Sequence, residues 1–175
     1  MMKMEIKEKI GVKQLLVHDN GIFPNSKYPA LLYKNALQLP SIFAGSYVKE
    51  LFRKNNWMNN WKSGVFTYHH YHSITHEVLG IIKGETTILL GGDDGFKVRV
   101  EKGDVLIIPA GVAHKNLGNE DDVTCIGAYP DGRDYDMNYG VEFERPKTDE
   151  NISKVPLPDK DPVFGAKGLL FNYWK

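Results

Sequence analysis

Six histidines occur in the 175-residue chain, and four of them fall in "HHYHSITHE", residues 69–77, which ends on a glutamate. In an extended strand, side chains two apart face the same way. His70 and His72 therefore share a face, and His69 pairs with Tyr71 on the other. Two neutral imidazoles side by side offer lone pairs that a metal ion can take up, whereas protonated ones repel. Glu77 stands near the start of the next predicted strand, and a tight reversal over residues 73–76 would return its carboxylate toward the pair. A fourth donor, His114, follows the proline–glycine turn in "GDVLIIPAGVAH". Histidines with one carboxylate suit a divalent iron, manganese, nickel or zinc ion.

Other readings compete for the same residues. A helix would place His72 and His76 one turn apart, but "TYHHYHSIT" is rich in β-branched and aromatic residues and argues for extended chain. The order of helical zinc proteases, His-Glu and then a further His, is absent. A purely structural role remains open for His70 and His72 as a pair and loses ground once Glu77 and His114 follow in order. His18, His69 and His76 are read as structural or surface residues. Counting back from His70 along its own face gives Tyr68, Phe66 and Gly64, so Phe66 and Tyr68 are candidates for the wall of a ligand pocket; ordinary barrel core is the competing role.

The elements that must position these residues form three zones. Residues 1–60 are mixed: "VKQLLVHD" reads as an outer strand, and "SIFAGSYVKELFRKNN" places Phe43, Tyr47, Val48, Leu51 and Phe52 at helical spacing, as one helix with an aromatic core stripe. Residues 61–130 read as short strands, "GVFTYHHYH", "HEVLGIIKG", "TTILLGG", "FKVRVEKG", "DVLIIPAG" and "DVTCIGAYP". Glycine-bearing turns divide them about every ten residues, the pattern of an antiparallel sandwich or barrel. "LGGDDGF" is a hairpin tip. Residues 131–175 are polar and proline-bearing, yet Val163, Phe164, Leu169, Leu170, Phe171, Tyr173 and Trp174 are too many apolar groups for a solvated end. A tail docked on the barrel or on a partner subunit is expected.

Composition narrows the function classes. Hydrophobic residues make up 42 % and charged residues 25 %, a globular profile, and 22 basic residues balance 22 acidic ones. No basic excess exists to meet a phosphate backbone, so nucleic acid is not an expected partner. The apolar run "VLIIPAGVA" is too short to span a bilayer, so no membrane partner is expected either. "MMKMEIKEKIGVKQ" lacks an apolar signal core, and a cytoplasmic location is expected. Cys125, the one cysteine, reads as a buried apolar residue.

At this point the spacing resembles that of the cupins, whose two motifs run G-x5-H-x-H-x4-E-x6-G and G-x5-P-x-G-x2-H-x3-N. Gly64, His70, His72, Glu77 and Gly84 fit the first, and Gly103, Pro109, Gly111 and His114 fit the second. The last position departs, with Gly118 where the motif has asparagine and Asn116 and Asn119 nearby; that asparagine is not a ligand in the family. "YHHYHS", "PAGVAHKNLG", "DMNYG" and "VPLPDKDPVFG" extend the resemblance to the YjlB-like subgroup of small bacterial cupins. The resemblance implies an all-β, single-domain jelly-roll barrel of six to eight strands, with an N-terminal arm carrying one helix and an extended C-terminal tail. It implies one divalent transition metal held by His70, His72, Glu77 and His114, and a homodimer of the kind many cupins form through barrel faces and exchanged arms.

Such a centre would keep one or two coordination positions open, which marks a reactive site more than a structural plug. It suits a small oxygen-rich organic molecule: an enediol, diketone, hydroxy acid or catechol-like group. The first expectation is a dioxygenase-type oxidoreductase. The alternatives are a Lewis-acid isomerase or lyase and a non-enzymatic module that binds a small ligand.

Overall fold

The computed structural model describes residues 10–175. Its elements are β1 (Val12–Leu15), β2 (Ala30–Tyr33), α1 (Ala44–Lys54), β3 (Trp57–Ser63), β4 (Glu77–Leu90), β5 (Phe96–Glu101), β6 (Val105–Ile108), β7 (His114–Asn116), β8 (Val123–Pro130) and α2 (Lys147–Lys154). The strands pair antiparallel, as the spacing of short β-rich runs predicts. One sheet runs β1-β2-β6-β4-β8-β3, and the second half of β4 pairs with β5 and β7. The segment before residue 60 thus carries the expected helix and also gives two strands, β1 and β2, to the sheet.

β4 differs from the reading of two strands divided at Gly84. It is one strand of 14 residues. Its first half pairs with β6 and β8, from Glu77 opposite Ile108 to Gly84 opposite Val123, and its second half pairs with β5 and β7. The change of partners occurs at a bulge between Ile81 and Lys83, followed by Gly84 at φ +76°. A Cβ there would lie 2.0 Å from the Asp122 carbonyl oxygen. Glycine therefore serves to bend the strand between two sheets and not to reverse it. The hairpin tip at "LGGDDGF" is where expected, with Leu90 paired to Phe96.

Alternation along β4 divides the core in two. Leu79, Ile81, Ile88 and Leu90 face the barrel interior with Val98, Val100, Leu106, Ile108 and Cys125. Val78 and Ile82 face outward with Ile107, Ile126 and Ala128, under Val48 and Phe52 of α1 and Leu170 and Trp174 of the tail. Each such side chain, taken from water, contributes about 1.5–3 kcal/mol. The helical stripe is narrower than the spacing suggested. Val48 and Phe52 are fully buried, whereas Phe43 is 77 % and Tyr47 40 % exposed. Phe43 caps the helix in a left-handed conformation (φ 59°), so it lies outside the helical repeat.

The tail docks on its own barrel and includes α2, which sequence patterning missed. Asp161, fully buried, accepts hydrogen bonds from Tyr33 Oη (2.6 Å) and from the backbone N–H groups of Val163, Phe164 and Leu170. Trp174 stacks on Tyr28, packs against His76, and donates from Nε1 to the Pro29 carbonyl at 2.8 Å.

His76 is buried away from the other histidines of its cluster. Its Nδ1 accepts from Ala110 N–H at 2.9 Å and its Nε2 donates to the Pro156 carbonyl at 3.2 Å. A second ring proton would meet the Ala110 N–H head on, and burial holds the imidazole down to about 4. The folded-state pKa lies below the unfolded value near 6.5, so the unfolded chain binds more protons and stability falls as pH drops below 6.5. Between pH 7.5 and 5 the cost is about 2 kcal/mol. Urea unfolding in chelator should show wild-type stability falling toward that of His76→Gln by this amount over the interval. A constant gap between the two proteins would assign the acid sensitivity elsewhere.

Candidate metal centre

The segment from Gly64 to His72 is not the regular strand its composition suggests. β3 ends at Ser63, and the chain then bends at Thr67 and Tyr68 and makes isolated bridges only, His70 to His114 and Tyr71 to Asn138. The His70–His114 bridge, closed by backbone hydrogen bonds of 3.2 and 3.0 Å, draws the histidine segment against β7. The predicted two-residue spacing still puts His70 and His72 on one side, each 5 % exposed, and β7 brings in His114 at 1 %. One potential ligand nitrogen from each of these rings lies within 4.8 Å of those of the other two. Three buried histidines so gathered can hold a metal ion.

Hydrogen bonding at the far side of each ring sets which nitrogen faces the centre. His70 Nδ1 is 3.0 Å from the Tyr68 carbonyl, His72 Nδ1 2.6 Å from the Asp136 carbonyl, and His114 Nδ1 3.0 Å from the Val112 carbonyl. A carbonyl only accepts, so each Nδ1 carries hydrogen and donates. In the neutral ring each Nε2 is then an unprotonated donor atom for a metal, and the ring is held in orientation as well. Among the described residues, His114 Nε2 is buried without a hydrogen-bond partner. A lone pair left over in this way is what a bound cation would satisfy, and the residues fit a divalent ion on that ground.

Glu77 is 3 % exposed and sits between two of the rings. Its Oε2 lies 3.2 Å from His72 Nε2, and its Oε1 lies 3.3 Å from His114 Nε2, out of hydrogen-bond alignment. Burial, reinforced by the neighbouring His114, holds the His70 imidazole down to about 3, so His70 stays neutral at physiological pH. Burial works against charge on His72 as well, but the adjacent Glu77 outweighs it and raises that pKa. Burial alone would push the Glu77 carboxyl up; His72 and His114 outweigh it and hold the group well below the usual carboxylate range. The result is an ionised carboxylate among imidazoles, the donor set for a borderline cation.

The four residues line a cavity of about 210 Å³ with Trp61, Val65, Phe66, Leu79, Tyr129, Tyr135 and Met137. Of the two predicted wall residues, Phe66 lines it. Tyr68 does not: it is 45 % exposed, stacked on Phe66 at 4.9 Å and next to Tyr139 on the outside. The bend at Thr67 and Tyr68 breaks strand alternation, so same-face counting from His70 does not reach Tyr68. Trp61, Tyr129, Tyr135 and Met137 were missed. Alternation along β8 through Cys125 and Gly127 could have found Tyr129; Tyr135 and Met137 lie in an irregular loop with no period to read. Asp136 of that loop fixes His72 through its carbonyl, and its carboxylate accepts from Ser73 N–H at 2.7 Å and Asn138 Nδ2 at 2.8 Å.

His69 points elsewhere, with Nε2 at 2.8 Å from Asp93 Oδ1. His69→Ala should leave metal content unchanged by plasma mass spectrometry; lost metal would mean the wrong rings have been assigned. Asn116, two positions before Gly118, accepts from Thr86 Oγ1 at 2.6 Å and from Gly118 N–H at 2.8 Å. The loop after β7 is thus tied down by a different asparagine from the one in the motif.

An antiparallel barrel with two histidines before one strand and a third at the start of another defines the class, and the chain belongs to the cupins: residues 58–126 match the cupin domain. Over 157 residues it is 39 % identical to the uncharacterized protein YjlB of Bacillus subtilis (strain 168), covering 89 % of this chain and 92 % of that one. Among solved structures, acireductone dioxygenase from Bacillus anthracis, with a cadmium ion in its active centre, superposes with a TM-score of 0.42 at 15 % identity over 79 % of this chain and 88 % of that one. Procruciferin, an 11S globulin from Brassica napus, gives 0.37 at 15 % identity over 75 % of this chain and 28 % of that one. Among the described residues no helix is long and apolar enough to cross a membrane.

Proposed function

We propose that His70, His72, His114 and Glu77 hold one divalent iron, manganese, nickel or zinc ion, and that the protein is a dioxygenase-type oxidoreductase acting on a small oxygen-rich molecule. The observation that carries this reading is the convergence of three Nε2 atoms and a carboxylate in a largely apolar cavity. Redox-active iron, manganese or nickel would supply electron relay between a chelating organic molecule and O2, and zinc would supply carbonyl polarisation.

The chain's own residues supply the rest. Val65, Phe66, Leu79 and Met137 give the cavity apolar walls, and a low-dielectric lining strengthens electrostatic interactions inside it. Burial and the charge of Glu77 hold the Tyr129 phenol far above its usual range, so it keeps its proton. Among the described residues the lining contains no lysine or arginine. A phosphate or dicarboxylate would find no cation of the described lining there; an enediol, diketone or catechol, neutral or singly charged, suits the cavity better.

Plasma mass spectrometry on protein purified without added metal or chelator, followed by O2 uptake with a panel of these compounds, tests the reading. About one redox-active ion per chain and O2 consumption abolished by His70→Ala are expected. Isomer formation without O2 would move the assignment to Lewis-acid isomerase or lyase. Tight ligand binding with neither reaction would leave a binding module, and failure to take up any metal would remove the site.

A further inference from the structure

We propose that Tyr129, aimed by Trp61, is a positioning residue for the metal centre, holding the Glu77 carboxylate turned into the histidine cluster. The inference rests on the metal-site reading above. It comes from three neighbouring strands whose inward side chains form one directed chain of hydrogen bonds.

Trp61 on β3 lies opposite Gly127 on β8, and Val78, next to Glu77 on β4, lies opposite Ala128, next to Tyr129. Trp61 Nε1 is 2.9 Å from Tyr129 Oη, and Tyr129 Oη is 2.9 Å from Glu77 Oε2. An indole N–H only donates. It therefore occupies a lone pair of the phenol oxygen, and the single phenol hydrogen points to the carboxylate. With the Glu77 carboxyl ionised, and so able only to accept, the direction runs indole to phenol to carboxylate.

The indole reaches this position because residue 127 has no side chain: a Cβ there would lie 2.0 Å from Trp61 Cε2. Any larger residue would drive the indole off the phenol. Glu77 has two oxygens, and Oε2 is fixed by Tyr129 from one side and approached by His72 Nε2 from the other, which leaves Oε1 facing His114. Without the phenol, the carboxylate loses the neutral donor that, among the described residues, sets its rotation. Partners of this kind, bonded to a metal's ligands, typically alter metal affinity about tenfold to a hundredfold.

The test is titration of Co²⁺ and Zn²⁺ into chelator-stripped wild type, Tyr129→Phe, Trp61→Phe and the double variant, with the Co²⁺ visible spectrum and apo-protein melting recorded for each. Tyr129→Phe should weaken binding about tenfold to a hundredfold and shift the Co²⁺ bands. Trp61→Phe should weaken it less, and the double variant no further than Tyr129→Phe, since the indole acts through the phenol. Unchanged affinity and spectrum in Tyr129→Phe, with only melting lowered, would reduce the pair to packing and overturn the proposal. Additive losses in the double variant would also overturn it. If Tyr129→Phe does not fold, Trp61→Phe decides alone: unchanged affinity and bands would defeat the proposal. A wild type that takes up neither ion would defeat the metal-site reading itself, and this inference with it.

Discussion

His72→Ala is expected to strip the protein of metal while leaving a folded barrel. The substitution removes one of three convergent Nε2 atoms and breaks the contact with the Asp136 carbonyl that ties the 133–138 loop to the site. Losing a direct ligand should exceed the effect of losing a partner of a ligand, so affinity should fall by more than about a hundredfold. Stability should also fall, for two separable reasons. Wild type at a hundredfold excess over Kd gains about 2.7 kcal/mol from the ion, which the variant cannot gain. The variant also leaves Glu77 buried with one fewer partner, and breaking a buried ion pair costs about 3–5 kcal/mol. Plasma mass spectrometry, circular dichroism and melting with and without chelator separate these. Chelator should lower the wild-type Tm and leave that of His72→Ala unmoved. Full metal occupancy in the variant would show that the ligand set is wrong.

Trp174→Ala is expected to produce the largest loss of stability outside the site, about 3–5 kcal/mol for a buried tryptophan. The side chain is 1 % exposed, stacks on Tyr28, and bonds the Pro29 carbonyl, so its removal opens a cavity and leaves an acceptor unpaired. Urea unfolding should show a lower midpoint at an unchanged slope. Because Trp174 lies on the outer face of the sheet, metal content below the transition should stay at the wild-type level. A cost under about 1 kcal/mol would mean the tail does not pack on the barrel in solution, since surface substitutions rarely exceed that. Loss of metal at full folding would mean the outer face communicates with the ligands through His76, which Trp174 touches and which precedes Glu77.

The sequence by itself determined the class of fold and the gathering of His70, His72, Glu77 and His114. Motif spacing fixes where each residue falls relative to a turn, and turns and strand periods are local properties that residue types encode. It also determined that the tail is too apolar to be free, and that His69 and His76 serve elsewhere. Tertiary structure alone decided the tautomer of His72, because the Asp136 carbonyl that sets it lies 64 residues away, whereas the carbonyls of Tyr68 and Val112 that set His70 and His114 stand two residues before each ring. It decided that β4 runs through Gly84, since a glycine with positive φ is equally fit for a turn or a bend and only the partner strands choose between them. Tyr68 fell outside the cavity wall because the chain bends at Thr67 and Tyr68, where no ladder enforces alternation. Trp61 and Tyr129 entered the site because β3, β8 and β4 lie side by side, a neighbour relation across 68 and 52 residues that no local pattern carries.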